Sequence, residues 1–225
     1  MIGENVTMHV PYGLRCEYLE NPLGLDTSKP RFSWIINSGG FIQTAYRILV
    51  SSHMRFLDDN YGDLWDTGKV QSDALVHIEY DGEPLKSDFR YFWKVCIWDG
   101  HDCCSDFSQM ATFSTGLFNQ SDWTAQWLGS PVFSPEAAPM FRKDVGIKKP
   151  IVRATAYIAS LGYHEFSLDG EKVDNRLLEP CFTDIRKRVP YAVYDLTSML
   201  IPGPHAMGLM LGCGWNSSHH FNTPH

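Results

Sequence analysis

Six carboxylates crowd one stretch of the chain: Asp169, Glu171, Asp174, Glu179, Asp184 and Asp195 fall within 27 residues. Hydrolysis of a glycosidic bond needs two carboxyl groups facing each other across a cleft, one as acid and one as base or nucleophile. Spacing alone places no such pair here, and acids set among Gly, Asn and Pro are ordinary turn formers. A calcium or sugar-hydroxyl site asks for less, because a hard cation collects oxygen ligands from Asp, Asn and backbone carbonyls. Asp174 and Asn175, joined by Asn216, are the residues to test for it. No cofactor is expected beyond that Ca2+, and no metal site is assigned.

Other chemistry finds weaker footing. Of the last histidines, His219 and His220 are adjacent and point to opposite sides of an extended chain, and His225 is the final residue. None has the converging spacing of a zinc site. There is no G-x-S-x-G elbow for a serine nucleophile. Cys213 lies between two glycines, which reads as a strand admitting a close neighbour rather than as an active thiol. "GLMLGCGW" lacks the lysine of a phosphate loop. The six cysteines, Cys16, Cys96, Cys103, Cys104, Cys181 and Cys213, show neither C-x-x-C spacing nor disulfide-scaffold density, so most are expected as free, small core residues. Trp123, Trp127 and Trp215 could stack on sugar rings, but in a chain with seven tryptophans the core or a domain interface is the commoner place.

The elements that would position these residues are strands. Aromatics make up 13% of the chain, and period-two runs recur between Gly, Pro, Asp and Asn clusters. The clearest is "RYFWKVCIWDG", where Tyr91, Trp93, Val95 and Ile97 point one way and Phe92, Lys94, Cys96 and Trp98 the other. Further strands are expected at 31–38, 45–52, 64–70, 75–82 and 110–116. About seven short strands at this spacing describe a fibronectin-III-like or immunoglobulin-like sandwich over residues 1–117. A polar junction with several prolines covers 118–138. From 139 to 225 strands resume in "MFRKDVG", a long strand or hairpin through "RATAYIASLGYHEFSLDGEKV", "YAVYDLT" and "HAMGLMLGCGW". Asp169-Gly170 is the strongest hairpin turn in the chain, and Pro202-Gly203-Pro204 makes a second clean break. A jelly roll needs about eight strands, so this second domain is expected to be truncated on its C-terminal side. The fold class is therefore all-β.

A net charge of −7 argues against a nucleic-acid partner, because phosphate neutralisation needs clustered Lys and Arg; Arg186-Lys187-Arg188 is too short a run. No stretch approaches the roughly 18 apolar residues of a membrane span, and the start has no signal-peptide pattern. A cytoplasmic location is the default expectation, with secretion or a periplasmic location left open.

The order of segments carries a resemblance. "LRCEYLENPLGLDTSKPRFSW", "QTAYRILV", "LWDTGKVQS", "YFWKVCIWD", "STGL" and "DWTAQWLG" resemble the N-terminal sandwich domain of bacterial α-L-rhamnosidases of glycoside hydrolase family 78. "APMFRKDV", "ATAYIASLGYHEFSLDGEKV", "LEPCFTDIRKRVPYAVYDLTSML" and "PGPHAMGLMLGCGW" resemble, in the same order, the family's N-terminal jelly-roll domain. The resemblance implies inverting hydrolysis of terminal α-L-rhamnosyl bonds by acids of a downstream (α/α)6 barrel. That barrel is not in this sequence, so no catalytic residue is carried over. Some jelly-roll domains of the family bind rhamnose through calcium, which is where Asp174-Asn175 would serve. Three positions depart from the family pattern: Asp169-Gly170 replaces Asn-Gly, Cys181-Phe182 replaces an aromatic after the proline, and Gly212-Cys213-Gly214-Trp215-Asn216 replaces Gly-Asp-Gly-Trp-Tyr. The expected function is a non-catalytic accessory region. Alternatives are a calcium-dependent rhamnose-binding module and a structural or partner-binding sandwich fragment. The expected partners are a rhamnosylated glycan or glycoside, the downstream catalytic domain and a second copy through an open sheet edge.

Overall fold

The alternation in "RYFWKVCIW" sets the first core. Strand β7 (Arg90–Trp98) turns Tyr91, Trp93, Val95 and Ile97 inward, and all four are buried. The computed structural model describes residues 10–37, 42–129 and 138–212. It divides the chain into Met1–Thr124 and Ala125–His225.

In the first unit, β1 (Tyr12–Cys16), β2 (Arg31–Ile35) and β6 (Ile78–Glu79) form one antiparallel sheet in the order β1-β2-β6. The second sheet runs β4 (Trp65–Asp66), β3 (Ala45–Ser51), β7 and β8 (Ala111–Ser114), with β5 (Val70–Gln71) also paired to β3. Their facing sides share one cluster in which Phe32 of β2 lies 4.5 Å from Trp93 and 5.7 Å from Phe113. Offset and tilted aromatic pairs of this kind add to the burial of large apolar area. This is the all-β, immunoglobulin-like sandwich expected from the strand spacing.

Several details differ from the sequence reading. The stretches 64–70 and 75–82 shrink to two-residue strands, and β1 adds a strand that the pattern did not suggest. Lys94 and Cys96, on the side of β7 opposite Trp93, are buried as well. A short helix, α1 (Met54–Asp58), covers that side. The Lys94 ammonium donates to the Leu57 carbonyl and to Asn60 Oδ1 and sits 4.7 Å from the Phe107 ring. A cation taken out of water needs such partners, and here the end of α1 supplies them. The five described cysteines are free, but only Cys16 and Cys96 are core residues; Cys103, Cys104 and Cys181 are exposed. The expectation of cysteines as core filler fails for those three because they lie outside the named strands, on connecting segments at the surface.

In the second unit, β9 (Met140–Ile147), β14 (Gly203–Leu211), β11 (His164–Leu168) and β12 (Glu171–Lys172) make one antiparallel sheet in that order. Strands β10 (Thr155–Ala159) and β13 (Tyr191–Asp195) pair separately. The core between them gathers Phe166, Leu168, Ala192, Tyr194, Leu196 and Leu200. Asp169 and Gly170 both take positive φ, 54° and 90°, as the tight turn between β11 and β12 requires. The longer hairpin expected from 153 onward does not form, because β10 and β11 belong to different sheets and residues 160–163 carry the chain across. Pro202-Gly203-Pro204 is not a clean break either, since β14 begins at Gly203. Pro204 is tolerated there because at that end β14 pairs with β9 alone, opposite Gly146, so one side needs no N–H donor. Among the described residues no helix is long and apolar enough to cross a membrane.

Candidate functional site

The crowded carboxylates are held one by one. Asp169 accepts the Ala206 N–H at 2.7 Å and meets His205 Nδ1 at 2.6 Å, and these two contacts hold its carboxyl below the usual range. Asp184 pairs with Arg186 Nε at 3.0 Å, which lowers it likewise. Asp195 accepts the Thr197 N–H at 3.0 Å. Glu171 is exposed on β12. Asp174 accepts the Arg176 N–H at 3.0 Å and ion-pairs with Arg176 Nε, and Glu179 lies 3.6 Å from Arg176 Nη1. These contacts tie five of the six acids to backbone N–H groups or basic side chains.

Arg176 is the hub the sequence reading missed. Its guanidinium carbon lies 4.4 Å from the centre of the Tyr194 ring, and its Nη2 donates to the Val193 carbonyl at 2.9 Å. Beneath it runs a buried chain of polar groups. His164 Nδ1 is 2.8 Å from Ser160 Oγ, and His164 Nε2 is 2.8 Å from the Tyr194 hydroxyl. Ser160 spends its one proton on the Gly162 carbonyl at 2.6 Å, so its oxygen must accept from His164 Nδ1–H. Nε2 is then the acceptor for the Tyr194 O–H. The histidine is neutral in this arrangement. Burial first, and then the nearby Arg176 charge, push its pKa down to about 4 against a partial opposing pull from Asp174. A histidine that donates to the serine cannot also take its proton, so this is a structural relay and not a nucleophile with its base. The signal in the sequence was the inward phase of His164 with Phe166 and Leu168 on β11.

His205 is the second buried histidine, and its environment has the opposite sign. Both ring nitrogens face acceptors, Asp169 Oδ2 at 2.6 Å and the Ile201 carbonyl at 2.7 Å. The Asp169 carboxylate, and then the carbonyl, raise its pKa above the usual value.

Of the calcium or sugar candidates, Asp174 and Asn175 are consecutive residues of the loop after β12. Asp174 is half-buried and engaged by Arg176, Asn175 is exposed, and Asn216 lies outside the described residues. His219, His220, His225, Cys213 and Trp215 lie outside them too. Among the described residues no group of three or more His, Cys, Asp or Glu could hold a metal ion. Trp127 is exposed and Trp123 half-buried. In the first unit an open cleft of about 470 Å³ is lined by Tyr46, Trp65, Val70, Val76, His77 and Glu79 among others. His77 there bonds to the Tyr18 hydroxyl at 2.9 Å.

Comparison with known proteins matches both units. Residues 11–119 match the Rha78A-like N-terminal immunoglobulin domain, and residues 149–223 match the alpha-L-rhamnosidase N-terminal domain. An alpha-L-rhamnosidase of Formosa agariphila is 36% identical, with 87% of this chain and 23% of that protein covered. An alpha-L-rhamnosidase of Streptomyces avermitilis is 35% identical, with 72% of this chain and 18% of that protein covered. The solved alpha-L-rhamnosidase structure from Dictyoglumus thermophilum superposes with a TM-score of 0.84 at 42% identity, over 92% of this chain and 25% of that one. The chain thus spans about a quarter of the length of such relatives.

Proposed function

Because this chain belongs to the α-L-rhamnosidase family, as its N-terminal immunoglobulin-like and N-terminal domains, we propose that it is a non-catalytic accessory region. It scaffolds, and helps present substrate to, a catalytic domain that hydrolyses terminal α-L-rhamnosyl residues. The observation that carries this reading is the extent of the match: 87% of this chain is accounted for by 23% of a rhamnosidase. The engagement of the acids supports it. Hydrolysis needs a protonated acid and a second carboxylate set across a sugar-sized gap, whereas Asp169, Asp174 and Asp184 each meet a basic side chain, His205 of β14, Arg176 and Arg186 in turn.

Two measurements test the proposal. The purified chain is expected to release no aglycone from an aryl α-L-rhamnoside; turnover that copurifies with the chain and is abolished by Glu171→Gln or Glu179→Gln overturns the non-catalytic reading. Removing the equivalent segment from the Formosa relative is expected to lower the melting temperature of the remainder, or its kcat/KM for rhamnosides. Unchanged melting and kinetics would overturn the scaffold reading.

A further inference from the structure

Cys96 stands on the side of β7 turned away from the aromatic core, opposite Arg47 in the register with β3. After Trp98 the chain turns back on itself. Asp99 Oδ1 accepts the N–H groups of His101 and Cys103, both at 2.9 Å. Backbone bonds from Asp99 N to Cys103 O at 3.1 Å and from Ser105 N to Ile97 O at 2.8 Å then set Cys104 directly across from Trp98 as an antiparallel bridge. Side chains two apart on a strand share a face, so Cys104 comes to the face of Cys96, one step along the diagonal. The two thiols are neighbours on that face, Cys104 Sγ donating to the Ser105 carbonyl at 3.3 Å, with the Arg47 guanidinium beside both. Cys104 is exposed and Cys96 is buried. Cys103, one residue before, falls on the opposite face, its sulfur 3.9 Å from the His101 carbonyl.

We propose that Cys96 and Cys104 form an oxidisable thiol pair that closes to a disulfide with a low-molecular-weight disulfide such as oxidised glutathione, locking the turn after β7 onto that strand. The Cys104 thiolate attacks one sulfur of the oxidant, whose S–S bond breaks and releases one thiol, leaving a mixed disulfide on Cys104. Cys96 gives up its proton to solvent and attacks Cys104 Sγ, and the second small thiol leaves with the electron pair. Two protein thiols are oxidised, and one small disulfide is reduced to two thiols. The order follows from access: only Cys104 meets the oxidant. Burial, and then the neighbouring Cys104, push the Cys96 thiol up to about 12, which keeps it unreactive until a mixed disulfide is presented to it.

The test is incubation of the whole chain with oxidised glutathione, followed by blocking of free thiols, non-reduced proteolysis and mass spectrometry. The expected product is a Cys96–Cys104 cross-linked peptide with the mass of two hydrogens lost, formed equally well in Cys103→Ser. In Cys96→Ser the reaction is expected to stop at the glutathione adduct on Cys104. In Cys104→Ser, Cys96 is expected to stay unmodified while the chain is folded, a readout that does not depend on the buried substitution. A Cys103–Cys104 bridge, a disulfide between two chains, or a stable adduct on Cys104 with Cys96 intact would overturn the proposal.

Discussion

Acidification should loosen the second unit through His164 before its carboxylates titrate. Protonating this ring adds an N–H at Nε2, where the Tyr194 hydroxyl now donates, and puts a charge into a site 8% exposed beside Arg176. Its pKa falls from 6.5 to about 4. Above 6.5 the folded and unfolded chains are both neutral here, and stability does not depend on this group. Between 6.5 and 4 the unfolded chain holds a proton that the folded one does not, so stability falls as pH falls, and below 4 the loss is complete. At 1.36 kcal/mol per pKa unit the loss reaches about 3 kcal/mol, a large part of the roughly 5–15 kcal/mol of a typical domain. Hydrogen exchange of peptides from β10, β11 and β13, followed from pH 7 to pH 4 and corrected for intrinsic rates, reads it out. His164→Gln keeps a donor and an acceptor but cannot take the proton. It is expected to cost about 1–3 kcal/mol at pH 7 for imperfect pairing of the hydroxyls, and to flatten the acid loss by about 3 kcal/mol. Parallel pH profiles for the two proteins would refute the assignment.

The other buried histidine should behave in the opposite sense. With both ring nitrogens on acceptors, His205 is expected to titrate above 6.5 by NMR and to drop in Asp169→Asn; the stability it contributes is full below 6.5 and is lost as pH rises through its folded value. A titration at or below 6.5 would contradict that. Phe32→Ala, which removes the ring packed on Trp93 and Phe113, is expected to destabilise the first unit by about 3–5 kcal/mol in urea unfolding followed by tryptophan fluorescence; a loss below about 1 kcal/mol would mean the aromatic cluster is not its core. In Gly170→Ala the new Cβ meets nothing within 4 Å, so the expected cost of about 1–2 kcal/mol is that of the left-handed backbone alone. No change in melting would show that the turn relaxes to another type.

What the sequence disclosed was whatever a two-residue period could encode. The inward phase of Tyr91, Trp93, Val95 and Ile97 needed only alternation to be seen, and the Asp169-Gly170 turn needed only its residue types. Features that depend on which strand lies beside which were out of reach. Alternation cannot say that β10 and β11 part into two sheets, because each is locally a good strand. Nor can it reveal that α1 and Phe107 bury Lys94, since both come from outside the strand. The acids were found as a crowd, but Arg176 binds Asp174 through a loop and Tyr194 from a strand 18 residues on, and no spacing rule joins those positions. His164 shows the same limit, with its neutral state fixed by Ser160, Gly162 and Tyr194 together.

The pairing of β9 with β14 bears on how the chain is made. Ile147 meets Gly203 and Met140 meets Met210, so the partners lie 56 to 70 residues apart in the chain. At a synthesis rate of about 5–20 residues per second, β9 leaves the ribosome roughly 3 to 14 seconds before the strand that completes its ladder. The first unit can close while β9 still waits with its backbone unpaired. During translation the edge of β9 is therefore open to pairing with a neighbouring nascent chain until β14 arrives.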